Sequence, residues 1–199
     1  MQNTERELSP GKKEEAESDK YLTFWTDGEL FGIPISDVVQ IISMQEIIPL
    51  PDFPAYAKGV INLRGNIIPV IDMRLRLKKP EAAYNENTCI IVTSIAEAYI
   101  GFIVDTVDEV ADIGEEDISP APKVSRETTN KYLMGIGQIG KKVVLLLDVS
   151  KILSESEFEQ VSQTAQEQAA ANRTKERQTG KNTVSAPEPS EKKSPDKKD

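Results

Sequence analysis

The chain has 199 residues, with 24 Lys and Arg against 33 Asp and Glu, so its net charge is −9 at pH 7. It contains no histidine, which excludes histidine-dependent hydrolytic triads, imidazole acid–base catalysis and histidine-ligated zinc. The single Cys89 excludes an intramolecular disulfide and suits a reducing compartment. The acidic balance argues against nucleic acid, which proteins bind mainly through Lys and Arg. No apolar run approaches the ~20 residues of a membrane span. We therefore predict an intracellular, non-catalytic protein without a cofactor or metal.

Composition changes sharply towards both ends of the chain. Residues 155–199 are rich in Gln, Ala, Lys, Glu, Ser and Pro and carry one aromatic residue, Phe158. Segments of this kind bury too little apolar surface to offset the entropy of ordering. We therefore predict a disordered N-terminal tail over residues 1–20, a folded core over residues 21–154 and a polar low-complexity tail over residues 155–199. A short polar helix is predicted at the start of the C-terminal tail.

The core is predicted to be mainly β. Short runs rich in Val, Ile and aromatic residues alternate with turn signals such as Asp27-Gly28, which is typical of small sandwiches and barrels. Helical patterns are few, and we predict short helices near residues 53–57, 73–77 and 149–153. The ten predicted strands cover residues 21–26, 29–33, 38–42, 60–63, 66–71, 89–95, 99–104, 107–113, 133–139 and 142–147.

An internal repeat relates two parts of the core. Residues 59–72 align without a gap to residues 135–148, and each segment begins at a glycine and ends at an aspartate. The repeat predicts two copies of one five-stranded unit, forming two similar barrels side by side. The alternative is that any two buried hairpins share Gly and branched apolar residues. Residues 143–147 are all apolar, which predicts a strand buried on both faces where the barrels meet.

Polar residues give no catalytic pattern. The acids Asp105, Asp108, Glu109 and Asp112 alternate between the faces of a strand, so they do not converge on a cation and are predicted to form a solvated face. Arg64 differs because it lies at a turn between two apolar strands. It is either a solvated hairpin tip or an interface arginine, whose planar fork binds carboxylates and carbonyls. The residues alone leave both alternatives open.

Residues 59–74, Gly-Val-Ile-Asn-Leu-Arg-Gly-Asn-Ile-Ile-Pro-Val-Ile-Asp-Met-Arg, resemble the signature of the CheW-type chemotaxis coupling proteins. Residues 31–33, 38–42, 104–107 and 135–137 extend the resemblance over the whole predicted core. It implies two five-stranded SH3-like β-barrel subdomains packed around a shared hydrophobic core, with few short helices. It also implies a non-catalytic adaptor that links the cytoplasmic tips of methyl-accepting chemoreceptors to the regulatory domain of the histidine kinase CheA. Such a protein is cytoplasmic, recruited to receptor arrays, and associated with the membrane only through the receptors.

The resemblance further implies a receptor groove at the seam between the barrels. Four residues would contribute to it directly, two would shape the hairpin that carries the arginine, and a glutamine stands where the family often has glutamate. Residues that bind the kinase are not assigned. The alternatives are a variant coupler of a non-chemotaxis chemosensory pathway, and a β-barrel that binds a small ligand or nucleic acid. The candidate receptor residues that would contribute directly to the groove are Val38, Ile42, Arg64 and Val110. Asn62 and Gly65 would shape the hairpin, and Gln40 is the glutamine at the position of the family's frequent glutamate.

Overall fold

A computed structural model describes residues 19–51, 53–96, 98–121 and 131–164. The mainly β fold is confirmed, with eleven strands, three short α-helices and two 3₁₀ helices in these ranges. The α-helices are α1 (Met73–Arg76), α2 (Val149–Ile152) and α3 (residues 155–164), and the 3₁₀ helices are Ile35–Asp37 and Glu115–Asp117. The strands are β1 (Lys20–Thr26), β2 (Glu29–Pro34), β3 (Val38–Ser43), β4 (Ala57–Leu63), β5 (Asn66–Asp72), β6 (Cys89–Ile95), β7 (Ala98–Val104), β8 (Thr106–Asp112), β9 (Ile118–Pro120), β10 (Leu133–Ile139) and β11 (Lys142–Leu147).

The strands form two sheets, and the sheets exchange strands between the two repeat units. One sheet has the order β8-β1-β2-β11-β10-β9, and the other has the order β3-β6-β7-β5-β4. The first two strands of the chain therefore lie in one sheet with β8 to β11 rather than with β3 to β5. The prediction of two successive five-stranded groups is wrong in this respect, because the parallel pairs β2–β11 and β5–β7 connect distant parts of the chain.

The internal repeat is nevertheless present in three dimensions. Asp72 and Asp148 each follow a hairpin and cap the short helix after it, through the N–H groups of Leu75 and Ser150 at 3.2 and 3.0 Å. The parallel pairs also correspond, since Val70 lies opposite Gly101 in one sheet and Leu146 opposite Gly32 in the other. The two hairpins that match in sequence thus occupy equivalent places in different sheets.

A shared hydrophobic core lies between the sheets, and each sheet also has a core of its own. Burial on both faces explains the run of apolar residues in the central strands. The prediction of two-sided burial holds for Val144, Leu146 and Leu147 of β11, but Leu145 is only partly buried and Val143 is 60% exposed. The shared core includes Leu22, Phe24, Phe31 and Leu147 from the six-stranded sheet and Ile71, Ile91, Ile100 and Phe102 from the five-stranded sheet.

The five-stranded sheet curls towards closure through one short contact. Ile48, five residues after β3, exchanges two backbone hydrogen bonds with Val60 of β4, at 2.8 and 2.9 Å. This bridge brings the two ends of the sheet together, although no continuous ladder closes the barrel. Gly59 makes the approach possible, because its φ is +143° and a Cβ there would lie 2.1 Å from the Ile48 carbonyl oxygen.

Helical structure differs from the prediction at residues 53–57 and agrees with it after residue 154. Residues 53–57 are not helical, and Ala57 instead begins β4. The predicted helix after residue 154 is present as α3, where Val161 is 3% exposed and Phe158 packs against the shared core. The core limit at residue 154 remains a prediction, and residues 1–18 and 165–199 of the predicted tails lie outside the described residues. Among the described helices, none is long and apolar enough to cross a membrane.

Candidate functional site

Strand β3 carries three of the candidate residues. Val38, Gln40 and Ile42 are partly buried and alternate with Val39 and Ile41, which are 49% and 44% exposed. A register shift lies between Val38 and Gln40 where β3 pairs with β6. The shift turns Val38 towards the shared core, while Ile42 packs into the core of the five-stranded sheet. Because β3 ends its sheet, its exposed apolar side chains border open surface.

The turn between β4 and β5 carries three more candidates. Arg64 has φ +54° and Gly65 has φ +89°, the two left-handed positions of a type I′ hairpin turn. The Asn62 side-chain oxygen accepts a hydrogen bond from the Gly65 N–H at 2.9 Å. The Arg64 side chain is exposed, and Leu63 just before it packs against the cluster that also contacts Ile42. By the strand registers, the hairpin lies at the end of the sheet where β7 starts, β6 ends and β3 begins.

Val110 lies on β8, at the end of the other sheet. It pairs with Leu22, which belongs to the shared core, so Val110 lies on the face turned towards the second sheet. It is 50% exposed, since no strand covers the outer side of β8. The first residues of β8 lie close to β6, because Val107 of β8 and Cys89 of β6 both pack against the shared core. Burial raises the pKa of the Cys89 thiol, and the Val107 backbone opposes the shift.

The candidates thus come from two edge strands and one hairpin. The structure joins Asn62, Arg64 and Gly65 in one turn and links that turn to Ile42 through shared packing, while Val110 comes from the opposite sheet. The seven candidates comprise three aliphatic side chains, two amides, one glycine and one cation, and they include no paired acid and base. In the described part of the chain no group of three or more Asp, Glu or Cys side chains could hold a metal.

A cluster of charges connects the two sheets at the end of β5 opposite to the 62–65 hairpin. The Arg74 guanidinium binds both oxygens of Asp105, at 2.6 and 2.7 Å, and one oxygen of Asp27 at 2.9 Å. The hydrogen bonds that Arg74 donates to Asp105 raise the pKa of Arg74 despite partial burial, so the cation is retained. The prediction of a purely solvated acidic face is therefore wrong for Asp105, whose side chain is 29% exposed and paired.

A second cluster, which we call the Arg76 cluster, was not predicted from the sequence. The Arg76 guanidinium lies over the rings of Tyr56 and Tyr132, at 5.0 and 5.4 Å, and its Nε donates to the Ile152 carbonyl at 2.6 Å. The Tyr56 hydroxyl donates to Glu157 of α3. Burial, together with that carboxylate, raises the pKa of Tyr56 to about 12. The repeat offset offered a signal, since it relates Tyr56 to Tyr132 and Arg76 to Ile152.

Fold and surface together define a class of protein in which two pseudo-symmetric, SH3-like β subdomains share one core. The CheW-like domain family matches residues 20–157. "Chemotaxis protein CheW" of Klebsiella aerogenes is 34% identical over 151 residues, which cover 76% of this chain and 91% of that protein. The protein of the same name from Treponema pallidum is 29% identical over 150 residues, covering 73% and 88%.

A solved structure gives the same result. The crystal structure of the scaffolding protein TtCheW from Thermoanaerobacter tengcongensis superimposes with a TM-score of 0.65 at 31% identity, covering 70% of this chain and 95% of that one. The chain belongs to the CheW-like domain family.

Proposed function

We propose that the chain is a non-catalytic scaffold of a chemotaxis system, linking chemoreceptor tips to the histidine kinase CheA. Membership of the family over residues 20–157 carries the proposal, supported by relatives named as chemotaxis proteins and a structural neighbour described as a scaffold. A scaffold acts by binding free energy coupled to the kinase's conformational equilibrium, so it needs surfaces rather than a reacting centre. The protein would reach receptor arrays at the membrane through the receptors alone.

We infer that the receptor surface consists of the outer edge of β3, the 62–65 hairpin and Val110 on β8. Half-exposed apolar side chains at two facing strand edges suit an amphipathic helix, which lays its apolar side into a groove. Arg64 adds a planar cation at one end, where it can pair with a receptor carboxylate or cap helix carbonyls. Gln40 replaces the family's frequent glutamate, so its contact would be an amide hydrogen bond rather than a charge interaction.

Co-sedimentation tests the proposal directly. Membranes bearing chemoreceptors are mixed with CheA in the presence or absence of this chain, and the kinase in the pellet is measured. We expect the kinase to enter the pellet only when the chain is present, and the chain alone to hydrolyse no ATP. A pellet fraction of CheA that does not depend on the chain would contradict the scaffold role.

Arg64→Ala is expected to weaken receptor binding by ~1–3 kcal/mol, the usual range for an interface arginine. The melting temperature should stay nearly unchanged, because Arg64 is exposed at a hairpin tip. Arg64→Lys should recover part of the affinity at most, since lysine lacks the planar fork. Receptor affinity and thermal unfolding are measured on the same preparations.

Lys141 provides the matched control for this prediction. It occupies the equivalent turn between β10 and β11, and its side chain is also exposed. Lys141→Ala removes a turn cation from the other subdomain and should leave receptor affinity unchanged. Equal affinities for Arg64→Ala and the unmodified chain would exclude Arg64 from the receptor surface, and a large fall in melting temperature would make its effect indirect.

A further inference from the structure

Strand β8 contains a bulge directly before the candidate receptor residue Val110. On β1, Leu22 pairs with Val110 and Phe24 pairs with Val107, so the single residue Thr23 faces two residues of β8. A bulge of this kind interrupts the ladder and leaves backbone groups without their normal strand partner. It also decides which way the following residue points, because strand side chains alternate in direction.

The Thr23 hydroxyl provides the hydrogen bonds that the interrupted ladder lacks at Glu109. The Thr23 hydroxyl donates to the Glu109 carbonyl at 2.8 Å, and the Glu109 N–H donates to the same hydroxyl oxygen at 3.2 Å. A threonine side chain can serve both partners because its hydroxyl is a donor and an acceptor. Thr23 is fully buried, at 0% exposure, so water does not replace these bonds without a rearrangement of the sheet.

Strand β8 has little else to hold the bulge in this form. It ends its sheet and hydrogen-bonds to a strand on one side alone. The Lys142 ammonium lies 2.9 Å from the Asp108 carboxylate and 3.6 Å from the Glu109 carboxylate. The Lys142 side chain is 46% exposed, however, and exposed ion pairs contribute little to stability. Thr23 is therefore the buried polar contact to the bulged backbone.

We propose that Thr23 is a positioning residue for the receptor surface: its hydroxyl holds the bulge of β8 and so fixes the direction of Val110. The inference rests on the proposed function, since it assigns Thr23 a role through Val110 rather than through contact with the receptor. Thr23 itself is fully buried within β1, so it is not exposed to a binding partner. Its loss should affect the receptor surface more than any other part of the protein.

The test uses Thr23→Val, which keeps the shape of the side chain and removes both hydrogen bonds, and Thr23→Ser, which keeps the hydroxyl. Receptor and CheA affinities of the full chain are measured at 10 °C, with amide exchange followed over residues 107–112. For Thr23→Val we expect about tenfold weaker receptor binding, CheA binding within about twofold, and faster exchange at Glu109. Thr23→Ser should restore receptor affinity and protection. Lys142→Met, which removes the exposed contact to the same bulge, should change neither.

The possible results separate the inference from the proposed function. Unchanged receptor affinity and unchanged exchange in Thr23→Val would overturn the inference while leaving the scaffold role intact. Equal weakening of receptor and CheA binding would also overturn it, since the effect would then be a general loss of folding. If the unmodified chain bound no receptor, both the proposed function and this role for Thr23 would fall.

Discussion

Gly59→Ala is expected to lower the free energy of unfolding by at least ~3 kcal/mol, the range of severe backbone and packing conflicts. A Cβ at position 59 would lie 2.1 Å from the Ile48 carbonyl oxygen and 2.9 Å from Pro49 Cα. These are backbone atoms, so no side-chain rotation relieves the clash. Either the Ile48–Val60 bridge breaks or β4 shifts, and both changes open the end of the five-stranded sheet. Urea unfolding followed by fluorescence of Trp25 measures the loss.

Gly140→Ala separates the clash from the cost of a left-handed backbone. Gly140 has φ +59°, and no heavy atom lies within 4 Å of the Cβ that alanine would add. That variant should lose ~1 kcal/mol, the usual backbone cost alone. If Gly59→Ala were no less stable than Gly140→Ala, the close approach of Ile48 to β4 would not contribute to the fold.

Arg76→Met is expected to lower the free energy of unfolding by ~2–4 kcal/mol. Methionine keeps the apolar stem but removes the guanidinium from between the two tyrosine rings, each contact being worth ~1 kcal/mol when partly desolvated. It also leaves the Ile152 carbonyl without its donor, at a cost of ~1–3 kcal/mol. The side chain is 14% exposed, so water compensates little of this loss.

The Arg76 cluster joins both repeat units to α3, so its loss should also loosen that helix. Proteolysis between α2 and α3 should therefore become faster in Arg76→Met. Arg64→Met is the control, since it changes an exposed arginine of the same kind. Similar urea midpoints for the two variants would show that the Arg76 cluster does not hold the subdomains together.

Local patterns predicted most of the strands, because period-two alternation and turn residues act over a few positions. The short edge strand β9 was missed, since three residues ending in a proline give no periodic signal. Residues 53–57 carried a weak helical pattern, but Ala57 instead pairs with β5 opposite Ile71. Tertiary pairing overrode a local preference there.

The exchange of strands between the sheets could not be predicted from the sequence. The β4–β5 and β10–β11 hairpins were identified from their repeat, but repeat similarity is the same whether each unit pairs with itself or with the other. The parallel contact of β2 with β11 decides between these arrangements, and it joins residues more than 100 positions apart. Hydrophobic patterns do not identify such long-range partners.

Some features of the candidate site depend on local sequence, and others depend on contacts between distant residues. The hairpin at Arg64 was predictable, because Gly65 follows it between two apolar strands, whereas the role of Asn62 in shaping the turn followed only from the family resemblance. The bulge at Asp108–Glu109 and the pairing of Asp105 with Arg74 depend on neighbours that the sequence does not name. Sequence alone therefore indicated which side chains could reach a partner, while their directions depend on Thr23 and other buried contacts.

A titration of the chain against fixed amounts of receptor-bearing membranes and CheA tests the central claim most directly. One scaffold molecule with two distinct surfaces first joins receptor to kinase, and in excess it occupies each partner separately. We predict that the CheA in the pellet, and its receptor-dependent activity, rise and then fall as the chain is added. A plateau that persists at large excess would contradict a bridge built from two separate surfaces.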